Sequence, residues 1–137
     1  MIETKKITFE TNGSFDMVNL TKEITNMIRN GSIQSGMVNI YSHGSTTAMV
    51  TLGSEEGIKE DFIETVKKLV PDGSYKHDEK TNHHNGVSHI RSAILGTGLN
   101  IPFAHKRMFL GMFQQIYFLD LDSIKREREV IVQIIGE

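Results

Sequence analysis

The 137-residue chain contains no cysteine, no tryptophan and only two prolines. Without cysteine there can be no disulfide and no thiolate metal site, and a thiol-free chain fits a cytoplasmic protein. The formal net charge is −2, so nothing in the charge balance calls for nucleic acid. No apolar run approaches the roughly 20 residues of a membrane helix. The first residues, MIETKKITFE, carry no apolar segment of signal-peptide length. The expectation is therefore a cytoplasmic protein with neither nucleic acid nor membrane as partner. Its length suits one domain over residues 1–137, with a modest core.

What is present is pattern. Lys5 to Glu10 reads as a strand with Ile7 and Phe9 on one face. Leu20, Ile24, Met27 and Ile28 form one helical stripe that stops at Gly31. Residues 36–52 read as two β-rich runs divided near Gly44. Ile58, Phe62, Val66 and Leu69 make a second helical stripe, ended by Pro71-Asp72-Gly73. Residues 72–86 form a long polar loop, a length that compact domains reserve for function or disorder. Ser88 to Leu95 and Leu99 to Phe103 read as strands around a Gly96-Thr97-Gly98 turn, with a hairpin turn at His105-Lys106. From Met108 to Leu121 apolar residues fall on both faces, as in a central strand covered on both sides. Glu129 to Ile135 is a last strand. The order β-α-ββ-α-ββββ predicts an α+β fold: antiparallel, sandwich-like sheets with two helices.

The candidate chemistry lies between residues 77 and 91. His77, His83, His84 and His89 sit in or beside the long loop. Their spacing matches no zinc-finger or HExxH pattern, so they read either as ligands or as a solvated loop. His89 enters a predicted strand, where it is either a fixed ligand or a satisfied core histidine. Arg91, two residues on, shares that strand face. Imidazole and guanidinium together suit a small phosphorylated ligand, the alternative being an arginine that pairs with an acid such as Asp120. Gly44-Ser45-Thr46-Thr47 offers hydroxyls and backbone N–H groups to phosphate oxygens, or is a plain turn. Asp120 and Asp122 share a face and suit either a hard cation such as Mg²⁺ or bases such as Lys125 and Arg126.

Taken in order, these residues resemble a known family. Tyr75-Lys76-His77-Asp78, Asn85, Ser88-His89-Ile90-Arg91-Ser92-Ala93-Ile94-Leu95-Gly96, Ile101-Pro102, Leu110-Gly111-Met112-Phe113-Gln114-Gln115-Ile116 and Asp120-Leu121-Asp122 are similar to the YjbQ family, also called uncharacterised protein family 0047 or the secondary thiamine-phosphate synthase family. The resemblance implies a YjbQ-like α+β domain assembled as a homotrimer, and a polar site holding metal or anion. It implies a transferase reaction that joins a pyrimidine diphosphate to a thiazole phosphate and releases pyrophosphate. Under that reading His77, His89, Arg91 and Asp61 are the catalytic residues. Ser45, Thr46, Asn85 and Gln114 bind ligand. His77, His89 and His84 hold a divalent metal, Zn or Mg. Many members carry His-Thr-Thr-Ala followed by a Glu. Here Gly44-Ser45-Thr46-Thr47 stands in that stretch, His43 lies one position early, and Gly53 takes the Glu position with Glu55 nearby. Phe113 replaces the family's tryptophan. The missing Glu favours the alternative, a non-catalytic trimer that binds a metal or a phosphorylated ligand.

Overall fold

The computed structural model describes residues 1–137. Its elements are β1 (Ile2–Thr11), β2 (Asp16–Asn19), α1 (Thr21–Asn30), β3 (Gly36–Ser42), β4 (Thr47–Gly53), α2 (Ile58–Leu69), α3 (Lys76–Lys80), α4 (Gly86–Leu95), β5 (Gly98–Ala104), β6 (Arg107–Met108), β7 (Gln114–Asp120) and β8 (Arg126–Gly136). The strands form a five-stranded antiparallel sheet, ordered β1-β8-β3-β5-β6, and a three-stranded one, ordered β2-β7-β4. The α+β expectation holds. No helix is long and apolar enough to cross a membrane.

Strand alternation builds the layers. On β8, Val130, Val132 and Ile134 point inward, and on β3 Val38 and Ile40 do so. They meet Ile116 and Phe118 of β7, with Leu20, just before α1, and Ile24 and Ile28 of α1 filling the same core. Phe9 closes on Phe118 edge to face, ring centroids 4.9 Å apart, a favoured aromatic geometry. The other face of β7 carries Tyr117 and Leu119, which pack with Phe15, Val66 of α2 and Leu95 of α4 in a second core. Burial of β7 on both faces is as the sequence indicated. The strand is shorter, however, since Phe109, Met112 and Phe113 lie exposed in the turn before it. The His105-Lys106 turn stands without glycine, both residues taking positive φ (51° and 62°), as a tight hairpin requires.

Two expectations are corrected. There are four helices rather than two, and residues 88–95 are helical, not a strand. The cause is that α4 is amphipathic in the unusual sense. Its buried face is polar, with Ser88, Arg91 and Ser92, while Ile90 and Ile94 face solvent. The helix rests on carbonyl groups rather than on apolar side chains. Ser88 Oγ donates to Leu121 O at 2.6 Å, Ser92 Oγ to Thr47 O at 2.6 Å and Arg91 Nε to Val70 O at 2.9 Å. A search for hydrophobic period cannot find such a helix. The short strand β2 was also not read.

At one end of the space between the sheets the inward faces turn from apolar to charged. Phe118 is followed on its face of β7 by Asp120, and just beyond the strand by Asp122. Opposite, Val130 is preceded on β8 by Arg128 and Arg126. Asp120 and Arg128 pair through two bonds, Nε to Oδ2 and Nη2 to Oδ1, both 2.8 Å. Thr11 donates to the same carboxylate. Asp120 is fully buried and the Arg128 side chain is 10% exposed. Removing one member of such a pair strands the other. Asp120→Ala is therefore expected to lower the unfolding free energy by about 3–5 kcal/mol. Urea denaturation measures this, and a loss under about 1 kcal/mol would place the pair with ordinary surface bridges.

Candidate functional site

Beyond that charged end opens a cavity of about 380 Å³ with no hydrophobic residue in its lining: Gly44, Ser45, Thr46, His77, His83, Asn85, His89, Asp122, Arg126 and Arg128. The loop before β4 supplies the hydroxyls, α3 supplies His77, and the first turns of α4 supply Asn85 and His89. Asn85 stands at the N-cap position of α4 without a side-chain capping bond, and His89 lies four residues on, so helical spacing sets them on one side.

Gly86 lets α3 approach. A Cβ there would meet Tyr75 Cβ at 2.9 Å, Asp78 Oδ1 at 3.1 Å and His77 Cβ at 3.2 Å. The contact brings the His77 and His89 rings to 4.9 Å between centroids, with His83 at 6.5 Å from His77. Asp78 Oδ1 lies 3.2 Å from His77 Nδ1. Backbone N–H groups of Tyr75 and Gly86 donate to this carboxylate, His77 adds to their effect, and the Asp78 pKa is lowered to about 2. The anion holds the proton of His77 on Nδ1, leaving the lone pair on Nε2. A carboxylate behind an imidazole is the usual support of a histidine metal ligand.

On the opposite wall the charges are mostly matched. Burial pushes the Asp120 pKa up, but bonds from Arg128, Thr11 and the Asp122 N–H outweigh it, and the net direction is down. Arg128 also donates to Thr46 Oγ1 at 3.1 Å. Asp122 pairs with Arg126 at 3.1 Å. Arg126 is 44% exposed and has guanidinium donors left for a ligand. Asn85 Nδ2 donates weakly to both Asp122 oxygens at 3.4 Å, and Asn85 Oδ1 is buried without a partner. A buried acceptor of this kind accepts from a ligand or a water.

Of the residues picked from sequence, His77, His89, Ser45, Thr46 and Asn85 come together here. The others do not. His89 and Arg91, two apart on a helix rather than a strand, point to different sides. Arg91 is 4% exposed, holds Val70 O and pairs with Asp72 at 3.4 Å, not with Asp120. His84 lines a separate cavity beside Arg91, and His83 takes the place expected for it. No cluster of three His, Asp or Glu side chains suited to a metal forms, so His77, His84 and His89 are not one ligand set. Asp61 lies exposed on α2 and lines no cavity. Gln114 pairs with Gly53 at the far end of β7, and its Oε1 accepts from Gly111 N–H. Asp120 is six residues along the strand from it, about 20 Å. His43 is outside the cavity, against Glu129 at 3.3 Å. Asp120 and Asp122 follow the arginine-paired reading rather than the hard-cation one.

Sequence reasoning gave His83 only as one of the loop histidines, with no role of its own, and passed over Arg126 and Arg128 as site residues. The signal for the arginines was alternation: they extend backwards, at period two, the inward stripe of Val130, Val132 and Ile134.

A family model described as UPF0047 protein YjbQ-like matches residues 5–137. A UPF0047 protein of Archaeoglobus fulgidus is 32% identical over 129 residues, covering 93% of this chain and 98% of that one. One of Methanothermobacter thermautotrophicus is 28% identical over 137 residues, covering 99% and 94%. Among solved structures, a hypothetical protein of Aeropyrum pernix superposes with a TM-score of 0.88 at 27% identity, covering 98% of this chain and 99% of that one. A protein of unknown function from Sulfolobus solfataricus gives a TM-score of 0.88 at 24% identity over the full length of both, a likeness of fold.

The lowered pKa of Asp78 has a signed consequence. A depressed carboxylate stabilises the fold above its ordinary pKa of about 3.9, and that contribution fades as pH falls through the folded value. Asp78→Asn should be less stable than wild type at neutral pH, and the gap should close as pH falls from about 4 towards 2. Thermal melts across that range measure it. A gap that stays constant with pH would remove Asp78 from this role.

Proposed function

The chain belongs to the YjbQ-like UPF0047 family, and on that premise we propose that its histidine cavity binds a divalent metal and a small phosphorylated molecule. The observation that carries this reading is the His77–His89 pair, 4.9 Å apart, with Asp78 behind His77 and a lining without apolar groups. Two imidazole nitrogens suit Zn²⁺ better than Mg²⁺, which prefers oxygen. The remaining positions would fall to ligand oxygens, since the cavity carboxylates are bound to arginines. When bound, the metal would neutralise charge on a diphosphate.

The reaction proposed is the thiamine-phosphate synthase step of the family resemblance. The carbon–oxygen bond to the diphosphate breaks, a carbon–nitrogen bond to the thiazole forms, and pyrophosphate leaves with its electron pair. The chain's own part would be electrostatic. Arg126 would contact phosphate oxygens, and the Ser45 and Thr46 hydroxyls would orient them. Arg128 is occupied by Asp120 and would act only by positioning Thr46. Asn85 Oδ1, without a partner, is an acceptor for an amino group such as that of an aminopyrimidine. A cavity of about 380 Å³ falls within the roughly 300–1,000 Å³ of small-molecule sites.

A second reading, a binding protein without turnover, is favoured by Gly53: the family resemblance implies Glu at that position, and the residue there has no side chain and lies at the far end of β4. Pyrophosphate release from the paired substrates, with and without Zn²⁺, Mn²⁺ or Mg²⁺, separates the two. Turnover in wild type should fall about tenfold or more in His77→Ala and His89→Ala and remain in His84→Ala. Metal binding without turnover would leave the binding protein. Equal loss in His84→Ala, or no metal bound by wild type, would contradict the site.

We also propose that the chain assembles as a homotrimer. The outer face of the five-stranded sheet supports this. Its register sets Ile2, Ile135, Met37 and Pro102 in one row, and Thr4, Gln133, Asn39 and Asn100 in the next. Ile2, Met37 and Ile135 are exposed, and none of these eight positions bears a charge. Further copies arranged around a three-fold axis would cover such a face through a repeated head-to-tail contact. Light scattering should give three times the chain mass, and Met37→Lys should shift it towards one. A monomeric wild type at micromolar concentration would refute this.

A further inference from the structure

We infer that a second cavity, on the Arg91 side of α4, is a binding site for a small tetrahedral oxyanion, with inorganic phosphate as its probe. It does not depend on the histidine cavity, although Asp122 lies in the wall between them.

Arg91 carries the argument. It is 4% exposed, and its one carboxylate partner, Asp72, is 82% exposed at 3.4 Å. A pair of that kind compensates a buried cation poorly. Nε donates to Val70 O and Nη2 to Asp72, while Nη1 has no protein partner. Yet Asn85 Oδ1 is the sole buried side-chain polar atom without one, so Nη1 opens to the cavity that Arg91 lines. Lys67 lines the same cavity. Both cations lie on the Phe15 ring, Arg91 at 5.1 Å and Lys67 at 5.4 Å from its centroid. The ring fixes two positive charges around one space.

The backbone holds that ring in place at some strain. Ser14 and Phe15 take φ of 50° and 67°, a region bulky residues rarely enter. Their N–H groups donate to Asp122 O at 2.6 Å and Asp120 O at 2.8 Å. Val87 and Ser88, in the first turn of the ten-residue α4, complete the wall, so the positive end of a helix borders the same space. Of the acids present, Asp122 is already paired with Arg126, and Asp72 is free to swing into solvent. The cavity measures about 220 Å³, below the roughly 300 Å³ at which drug-sized ligands begin to fit. That selects phosphate or sulfate over a nucleotide.

Asp72 competes with such an anion for Nη2, and this separates a ligand site from a purely structural arginine. The test is an amide and arginine N–H titration of the full chain with inorganic phosphate by NMR, in wild type, Lys67→Ala, Asp72→Asn and His89→Ala. Saturable shifts are expected at Ser14, Val87, Ser88, Ser123 and Arg91 Nε–H. Lys67→Ala should weaken the affinity severalfold. Asp72→Asn should tighten it by up to about fivefold, the worth of an exposed carboxylate partner. His89→Ala should leave these shifts intact while abolishing any in the histidine cavity. None of the three variants removes Arg91's bond to Val70, so all should fold. Shifts confined to the histidine cavity, no saturation at tens of millimolar phosphate, or weaker binding in Asp72→Asn would each overturn the inference.

Discussion

The bidentate pair between Asp120 and Arg128 is the constraint on which the rest of the structure depends. It closes the core between the two sheets at the point where apolar side chains end. With Thr11 it satisfies a carboxylate that burial alone would drive towards protonation, and the sum of its bonds leaves it ionised. A buried charge left half paired would be strongly destabilising, so the register of β7 against β8 across the sandwich is held at this end. The same guanidinium reaches Thr46 and so sets the loop before β4. That loop, with Arg128 and the Arg126–Asp122 pair, makes one wall of the histidine cavity. The core therefore does not stop short of the site; its last ion pair is the floor of it.

The opposite wall depends on α4, a helix that uses its polar face for docking. Its serines and arginine bind carbonyl groups at the ends of β4, β7 and α2, which leaves its sides available. One side carries Asn85 and His89 into the histidine cavity, and the other carries Val87, Ser88 and Arg91 into the smaller one. Gly86, where any Cβ would strike Tyr75 and crowd Asp78, brings α3 close enough for His77 to meet His89. The exposed Ile90 and Ile94 follow from the same orientation, since the apolar face is left to solvent.

Where burial follows hydrophobic period, the sequence was readable. The stripe of Leu20, Ile24 and Ile28, the two-sided burial of Ile116 to Leu119 and the inward Val130, Val132 and Ile134 were all visible, because water exclusion orders them. Residues 88–95 were not, because Ser88, Arg91 and Ser92 are buried by hydrogen bonds to carbonyls whose positions no local pattern reveals. That single misreading also misplaced Arg91, since a period of two put it beside His89 and the helical period separates them. Gln114 and Asp61 fell away for a different reason. They were carried by resemblance of motif alone, and β7 is long enough to take Gln114 to the far end of its sheet. His77, His89, Asn85, Ser45 and Thr46 came together because the motifs that hold them are the ones that α3, α4 and the loop before β4 converge on. The arginines of the site were hidden in plain alternation, with Arg126 read only as a partner for the nearby aspartates.

The chemistry proposed for the histidine cavity rests on His77 presenting Nε2 while Asp78 fixes its other nitrogen, with His89 alongside. Asp122 is held by Arg126 and no third His, Asp or Glu clusters with His77 and His89, so a metal there would be completed by ligand oxygens. The most direct measurement is anomalous diffraction from crystals soaked with Zn²⁺ and pyrophosphate. The expected result is one strong peak about 2.0–2.1 Å from a ring nitrogen of both His77 and His89, with pyrophosphate oxygens completing its coordination on the Arg126 side. A peak at His84, or no peak between His77 and His89 at saturating metal, would contradict the account.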